Sequence, residues 1–334
     1  MSVTTQQIRL ANRPTGLPDD ATWDLTTQEL SAPGPGQLLV KVDHISLDPA
    51  MRGWLNDVRS YIAPVRIGEV MRSLDTATVI ASEDPGFAVG DAVCGAFGVT
   101  EYALSDGAGV QKIDTAVASA PTWLGALGMP GMTAYFGLLD VGRPEKGDTV
   151  VVSAAAGAVG GLVGQIAKAR GARVIGIAGG PEKCEWIVNE LGFDAAIDYR
   201  GENVLKRLRE LAPQGIDVYF DNVGGDILDA ALANLRRGAR VVICGGIASY
   251  NEPKLPPGPS RYMSLLVFRA TMAGFVVTDY ADRYPEAVAQ LSAWLAEDTV
   301  RAKEHVVTGG IKEFGRTLTM LFSGANRGKL VLAL

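Results

Sequence analysis

Three stretches of this chain carry residues whose types and spacing could do chemistry. The first is Ala155-x-Gly157-x-x-Gly160, directly after the β-branched run Thr149-Val150-Val151-Val152. Small residues at this spacing let a backbone turn tightly, approach a pyrophosphate and pack a helix against a strand. The N-terminus of that helix then offers free N–H groups and a partial positive charge to an anion. Alanine stands where the first glycine of the fingerprint usually sits. The context completes the motif: a strand before it, a helix from Leu162 to about Arg170, and a second apolar run, Ala172 to Ala178. Two readings compete. One is a small-residue helix–strand contact with no ligand. The other is a bilayer span over the uncharged stretch Thr149–Ala167, which is rich in Gly and Ala and poor in Leu and Phe.

The second stretch, Ala178-Gly179-Gly180-Pro181-Glu182-Lys183, decides the cofactor. Enzymes that use NAD usually place an acid at this strand end for the ribose hydroxyls. Here the strand ends without a carboxylate and Lys183 follows within a turn, a pattern that favours a 2′-phosphate and hence NADPH. The alternative is that Glu182 takes the acid's role and Lys183 is a solvated helix charge.

The third stretch is a pair of strand ends, Asp221-Asn222-Val223-Gly224-Gly225 and Cys244-Gly245-Gly246. Ligands of open α/β sheets bind outside the carboxyl ends of strands. Asn222 can present an amide to the nicotinamide half, and the glycines let the backbone pass close. Alternatively these are tight-turn glycines with Asp221 as a cap. Metal chemistry is not expected, because the only histidines are His44 and His305 and the cysteines Cys94, Cys184 and Cys244 are scattered. No Gly-x-Ser-x-Gly nucleophile elbow occurs.

The elements that must position these residues follow from pattern. The 334 residues suggest two domains, and 47% hydrophobic with 20% charged residues suits a globular protein. A net charge of −6 gives no basic excess for nucleic acid. Met1 to Gln7 lacks an apolar core for secretion, and three unclustered cysteines fit a reducing cytoplasm. Residues 1 to about 122 read as short strands between Pro/Gly turns, suggesting a small barrel. Leu124 to Val141 reads as a helix broken at Pro130-Gly131. From Asp148 strands and helices alternate, the signature of a doubly wound parallel sheet. It runs through a helix Glu182–Leu191, strands near 194–198, 216–221 and 239–244, a helix Asn203–Leu211, a proline-rich loop Pro253–Pro259, a last strand Thr271–Val277 and a helix Tyr284–Glu297. The C-terminal run from Gly328 reads as a strand returning to the first domain.

The chain resembles the zinc-free medium-chain dehydrogenase/reductase superfamily, and within it the prostaglandin reductase and alkenal double-bond reductase family. The resemblance runs nearly end to end: Leu47-Asp48-Pro49-Ala50-Met51-Arg52-Gly53, Ile67-Gly68-Glu69-Val70-Met71, Gly128 to Tyr135, Ala154 to Gly160, Phe220 to Gly225, Pro256 to Pro259, Gly274-Phe275-Val276-Val277 and Asn326 to Lys329. Zinc-dependent relatives carry Gly-His-Glu where this chain has Gly68-Glu69. The resemblance implies a GroES-like domain over 1–122 completed by about 305–334, a Rossmann NADPH-binding domain over 123–304, an active site in the cleft between them, and commonly a homodimer. It carries the cofactor role to Gly157, Ala158, Val159, Gly160, Lys183, Tyr199, Asn222, the loop Cys244, Gly245, Gly246, Ile247 to Tyr250, Phe275, Val276, Val277 and Asn326. Tyr199 would lie near the 2′-phosphate and Asn326 at the nicotinamide end.

The implied reaction reduces the carbon–carbon double bond of an enal or enone, with hydride to the β-carbon and protonation of the enolate at the α-carbon. That requires a donor to the carbonyl oxygen and a proton source. Tyrosines frequent in relatives are replaced by Ala50 and Val267, leaving Tyr61, Tyr262 and Tyr250 as candidate phenols and suggesting a wider, more apolar pocket. Tyr61 and Tyr262 are taken as the candidate catalytic pair. A quinone oxidoreductase, or a dinucleotide-binding protein without turnover, are the alternatives.

Overall fold

The computed structural model describes residues 2–254 and 256–334, so Met1 of the N-terminal reading and Leu255 of the proline-rich loop lie outside the described residues. In chain order the strands and helices are β1 (Val3–Leu10), β2 (Trp23–Leu30), β3 (Leu38–Leu47), α1 (Ala50–Trp54), β4 (Asp75–Ser82), β5 (Ala92–Gly95), β6 (Tyr102–Ser105) and β7 (Gln111–Lys112). Then come α2 (Met129–Phe136), β8 (Thr149–Ser153), α3 (Ala158–Ala169), β9 (Arg173–Ala178), α4 (Pro181–Asn189), β10 (Ala195–Asp198), α5 (Val204–Leu211) and β11 (Ile216–Asp221). The chain continues through α6 (Gly225–Leu232), β12 (Leu235–Ile243), α7 (Ser264–Phe268), β13 (Thr271–Gly274), α8 (Tyr284–Ala296), β14 (Glu304–Val307), α9 (Phe314–Ser323) and β15 (Lys329–Ala333). Two compact units result, one of residues 1–124 with 304–334, the other of residues 125–303.

The first unit is built on a sheet ordered β14-β15-β3-β4-β5-β7, in which β6 pairs the N-terminal half of β3 and β15 its C-terminal half. All pairs are antiparallel except β14 with β15. β1 and β2 form a separate antiparallel ribbon. Leu38, Val40, Val42, Ile45 and Leu47 of β3 are buried with Phe314, Leu318, Leu330 and Leu332 from the C-terminal segment. The C-terminal residues therefore close the core of the N-terminal unit.

The second unit holds a parallel sheet ordered β10-β9-β8-β11-β12-β13. The order reverses beside β8, the arrangement of a doubly wound Rossmann sheet whose crevice opens at the carboxyl ends of the strands. β8 and β9 are buried almost throughout, as their unbroken apolar runs require. The uncharged stretch Thr149–Ala167 is divided between a 5-residue strand and a 12-residue helix. No helix among the described residues is long and apolar enough to cross a membrane.

Three elements differ from the sequence reading. Pro130 does not break a helix: it lies in the first turn of α2, where its missing N–H has no intrahelical partner to lose. A Cβ on Gly131 would stand 1.8 Å from the Ala126 carbonyl oxygen, so the glycine serves a close approach of the preceding turn. α2 then continues as a π-turn over Gly137–Gly142. α3 begins at Ala158 rather than Leu162, because the small residues are the helix's first turn and not a loop before it. β13 stops at Gly274, where its partner β12 ends at Ile243, and the Phe275 ring beyond it stands against Phe220 and Tyr280, each at a centroid distance of 6.4 Å.

Candidate functional site

The sequence-derived residues of the second unit gather at the carboxyl ends of its strands. β8 ends at Ser153, and Ala154 turns the chain with φ +48°, a left-handed conformation uncommon for a residue with a Cβ. The Ala154 carbonyl accepts the Gly157 N–H at 2.9 Å. A Cβ on Gly160 would stand 2.4 Å from that carbonyl oxygen, and one on Gly157 would stand 3.1 Å from it. Glycine at 160 is therefore demanded by backbone contact. Deeper in α3, a Cβ on Gly164 would meet the Phe193 ring at 1.9 Å. The helix thus starts hard against the strand end, with Gly157 at its N-cap and no side chain capping the N–H groups around Ala158, Val159 and Gly160. Such a bare, close-packed helix start fits a dinucleotide pyrophosphate.

Lys183 lies in the first turn of α4, after the N-cap Gly180 with φ +91°. An acid does approach this point, from the next strand: Asp198 at the end of β10. Its Oδ1 accepts the N–H of Gly180 at 2.7 Å and of Arg200 at 3.0 Å. The Gly180 amide, before the smaller influence of Arg200, holds this carboxyl below the usual carboxylate range. Asp198 is thus committed to the backbone. The Tyr199 ring covers Gly179, where a Cβ would stand 2.9 Å from it, and the Arg200 guanidinium stands 5.9 Å from the ring centroid. Lys183, Tyr199 and Arg200 surround Gly179-Gly180, a cationic and aromatic neighbourhood that suits a phosphate monoester.

At the end of β11 the Asp221 carboxylate collects donors from three directions. Its Oδ1 accepts from Tyr219 Oη at 2.9 Å, Ser153 Oγ at 3.0 Å, and the N–H groups of Val223 and Gly224 at 3.1 Å. Its backbone carbonyl accepts from the N–H groups of Cys244 (2.9 Å) and Gly245 (3.1 Å), tying in the end of β12. Asp221 holds the turn residues Val223 and Gly224, while the N-cap of α6 is Gly224 with no side chain capping it. The Asn222 N–H donates to Ser153 Oγ at 2.8 Å and its Nδ2 to the Ser153 carbonyl at 2.7 Å. The Asn222 carbonyl accepts from Ile247 N–H at 3.2 Å, and the Tyr250 hydroxyl accepts from Gly246 N–H at 3.2 Å. Burial, then the nearby Asp221 charge, push the Cys244 thiol up to about 12, so it is no nucleophile.

At β13 the Phe275 side chain is spent on packing, so a ligand would meet its backbone, with Val276 and Val277 following. Tyr262 precedes α7 and is 60% exposed, next to exposed Met263, Leu266 and Val267. Tyr61 and Asn326 belong to the first unit. Tyr61 lies in the loop after α1 and is 65% exposed. Neither the Tyr61 nor the Tyr262 phenol has a hydrogen-bond partner among the described residues. Asn326 is buried, its Nδ2 donating to the Gly328 carbonyl at 3.0 Å.

Sequence reasoning missed Ser153 and the full reach of Asp221. The available signal was a polar residue closing an apolar run in each strand, Ser153 after Val150–Val152 and Asp221 after Val218–Phe220. It also missed Lys329, whose ammonium donates to Asp48 Oδ1 at 2.6 Å and to the Leu47 carbonyl at 2.9 Å. Arg52 was missed too: it binds the Gly16 and Pro14 carbonyls and clasps α1 from the other side.

No group of three or more His, Cys, Asp or Glu residues among the described residues could hold a metal ion. The thiols of Cys94 and Cys184 are pushed up to about 12 and about 11, chiefly by burial. These residues do not fit a zinc site.

Residues 6–113 match the family model described as the N-terminal domain of oxidoreductase, and residues 158–294 that described as zinc-binding dehydrogenase. The chain is 41% identical over 329 residues to the NADPH-dependent curcumin reductase of Escherichia coli, covering 97% of this chain and 95% of that protein. It is 38% identical over 336 residues to the NADP-dependent 2-alkenal reductase of Nicotiana tabacum, covering 99% and 97%. The crystal structure of CurA from Vibrio vulnificus in complex with NADPH superposes with a TM-score of 0.93 at 42% identity, covering 98% of each chain.

Proposed function

The chain belongs to the medium-chain dehydrogenase/reductase superfamily, in the family of the prostaglandin and alkenal reductases, and on that premise we propose that it reduces the carbon–carbon double bond of α,β-unsaturated aldehydes or ketones. It is an NADPH-dependent reductase. When bound, NADPH supplies the hydride. The pyrophosphate would lie on the turn Gly157–Gly160, and the 2′-phosphate by Lys183 and Tyr199. The nicotinamide half would lie toward Asn222, the Cys244–Tyr250 loop, Val276, Val277 and Asn326. Tyr61 and Tyr262 are proposed to donate to the developing enolate oxygen or to the α-carbon.

The observation that carries this reading is near end-to-end similarity to two reductases whose names give conjugated carbonyl substrates, a 2-alkenal and curcumin. Ala50 and Val267, small or apolar where relatives often carry tyrosine, support a bulky apolar enone within that class. The same reading carries a homodimer in a reducing cytoplasm.

The test is an NADPH-oxidation screen over enals, enones and quinones with product masses. Gain of two hydrogens by enones, without comparable turnover of quinones, is the expected result. Preferential quinone turnover would move the assignment to a quinone reductase, and NADPH binding without turnover of any member would move it to a non-catalytic binder.

A further inference from the structure

We infer that Ser153 and Asp221 are positioning residues for the dinucleotide, fixing Asn222 so that its carbonyl oxygen, and not its NH2 group, faces the ligand. The inference deepens the cofactor reading of Asn222 given above and rests on it.

The chain of donors and acceptors is determined by chemistry at each link. Ser153 is 0% exposed and Asp221 1% exposed. The Ser153 hydroxyl hydrogen has two acceptors, Asp221 Oδ1 at 3.0 Å and the longer Phe220 carbonyl at 3.4 Å, and is spent on one of them. A Ser153 Oγ lone pair is then turned to the Asn222 N–H at 2.8 Å. The Ser153 backbone carbonyl is also acceptor-only, so the Asn222 side-chain atom 2.7 Å away must be the NH2 group. Asn222 Oδ1 remains. It has no partner among the described residues and is not sealed from solvent. Asn222 therefore presents an acceptor, which suits a donor on the nicotinamide half of the cofactor, a ribose hydroxyl or the carboxamide N–H2. Tyr219 Oη at 2.9 Å and the Val223 and Gly224 N–H groups hold Asp221 in place from the other side. The other oxygen, Oδ2, accepts the Gly224 N–H at 3.1 Å, and Asp221 is buried.

The experiment compares wild type with Ser153→Ala by calorimetric titration with NADPH and with 2′,5′-ADP, which carries the adenosine half and its phosphate but no nicotinamide. Thermal melts are run on each protein. Ser153→Ala is expected to weaken NADPH by about 10-fold, the loss of one fixed hydrogen bond, while 2′,5′-ADP stays within about twofold. Equal weakening of both ligands would show a general loss of structure and overturn the inference, as would unchanged NADPH affinity. Should Ser153→Ala fail to fold, Tyr219→Phe removes one donor to Asp221 and leaves Ser153 and Asn222 in place. Its expected effect has the same ligand selectivity at about 2- to 5-fold, and equal or absent effects overturn the inference in the same way. A wild-type protein that binds 2′,5′-ADP but gains nothing from the nicotinamide half would instead refute the reading of Asn222 itself.

Discussion

The Lys329 ammonium, 2% exposed on β15, donates to the Asp48 carboxylate at 2.6 Å. Ser46 Oγ donates to the other Asp48 oxygen, so the carboxylate joins β3, the turn into α1 and the last strand. Burial lowers the affinity of Lys329 for its proton, and the Asp48 charge opposes that shift. Removing one partner of such a pair leaves the other uncompensated, at a cost of about 3–5 kcal/mol. Lys329→Met is therefore expected to destabilise by about 3 kcal/mol in denaturant unfolding. In that background Asp48→Asn is expected to cost less than in wild type. Additive costs would show that the two residues do not couple.

Asp75 gives a pH signature. Its carboxyl is fully buried, accepting from Ser73 Oγ at 2.6 Å and from the N–H groups of Phe97 and Gly98 at 3.0 Å. Burial outweighs these hydrogen bonds and pushes it up to about 8. The native state then holds a proton that the unfolded chain releases near pH 4, so native binds more protons than unfolded between about pH 4 and 8. The stability Asp75 contributes is fully present below that window and lost as pH rises through 8. Asp75→Asn should flatten the decline. The Tm of the variant minus that of wild type is expected to grow from pH 5 to pH 9, and a constant difference would mean that the carboxylate is ionised throughout.

Lys183 is expected to set coenzyme choice. A charge-assisted contact to a phosphate contributes about 1.5–3 kcal/mol, so Lys183→Ala should raise the NADPH dissociation constant by roughly 10- to 100-fold. The NADH constant should stay within about twofold, since NADH lacks the 2′-phosphate. Equal losses for both coenzymes would remove Lys183 from this role.

The two exposed phenols are separable by kinetics. At least one of Tyr61→Phe and Tyr262→Phe is expected to lower kcat by about 10²-fold or more, the usual range for a positioned proton donor, with NADPH affinity unchanged. If both keep wild-type kcat, the proton comes from the cofactor ribose hydroxyl or from water.

The doubly wound sheet was legible because the apolar runs Thr149 to Ser153 and Arg173 to Ala178 flank a small-residue turn and a helix, the strand–helix–strand order of a buried parallel sheet. The coenzyme was legible from what β9 lacks at its end. The β1–β2 ribbon was not, since Thr4, Thr5, Gln6 and Gln7 break the expected alternation and much of β2 faces solvent. Pro130 misled because proline reads alike inside a helix and in its first turn. The clasp around Asp221 joins residues 68 positions apart, Ser153 and Asp221, and no local pattern reports a pairing at that range.

The pairing of β15 with β3 places the two sides of one bond 282 positions apart, at Leu47 and Lys329. At ribosomal speeds of roughly 5–20 residues per second, β3 waits about 15–55 s with half of one edge uncovered. The contiguous unit 125–303 can mature first, and the unit whose synthesis begins first is the last to be sealed. Trimming β15 alone should consequently show its damage in the amino-terminal half, as aggregation of newborn chains.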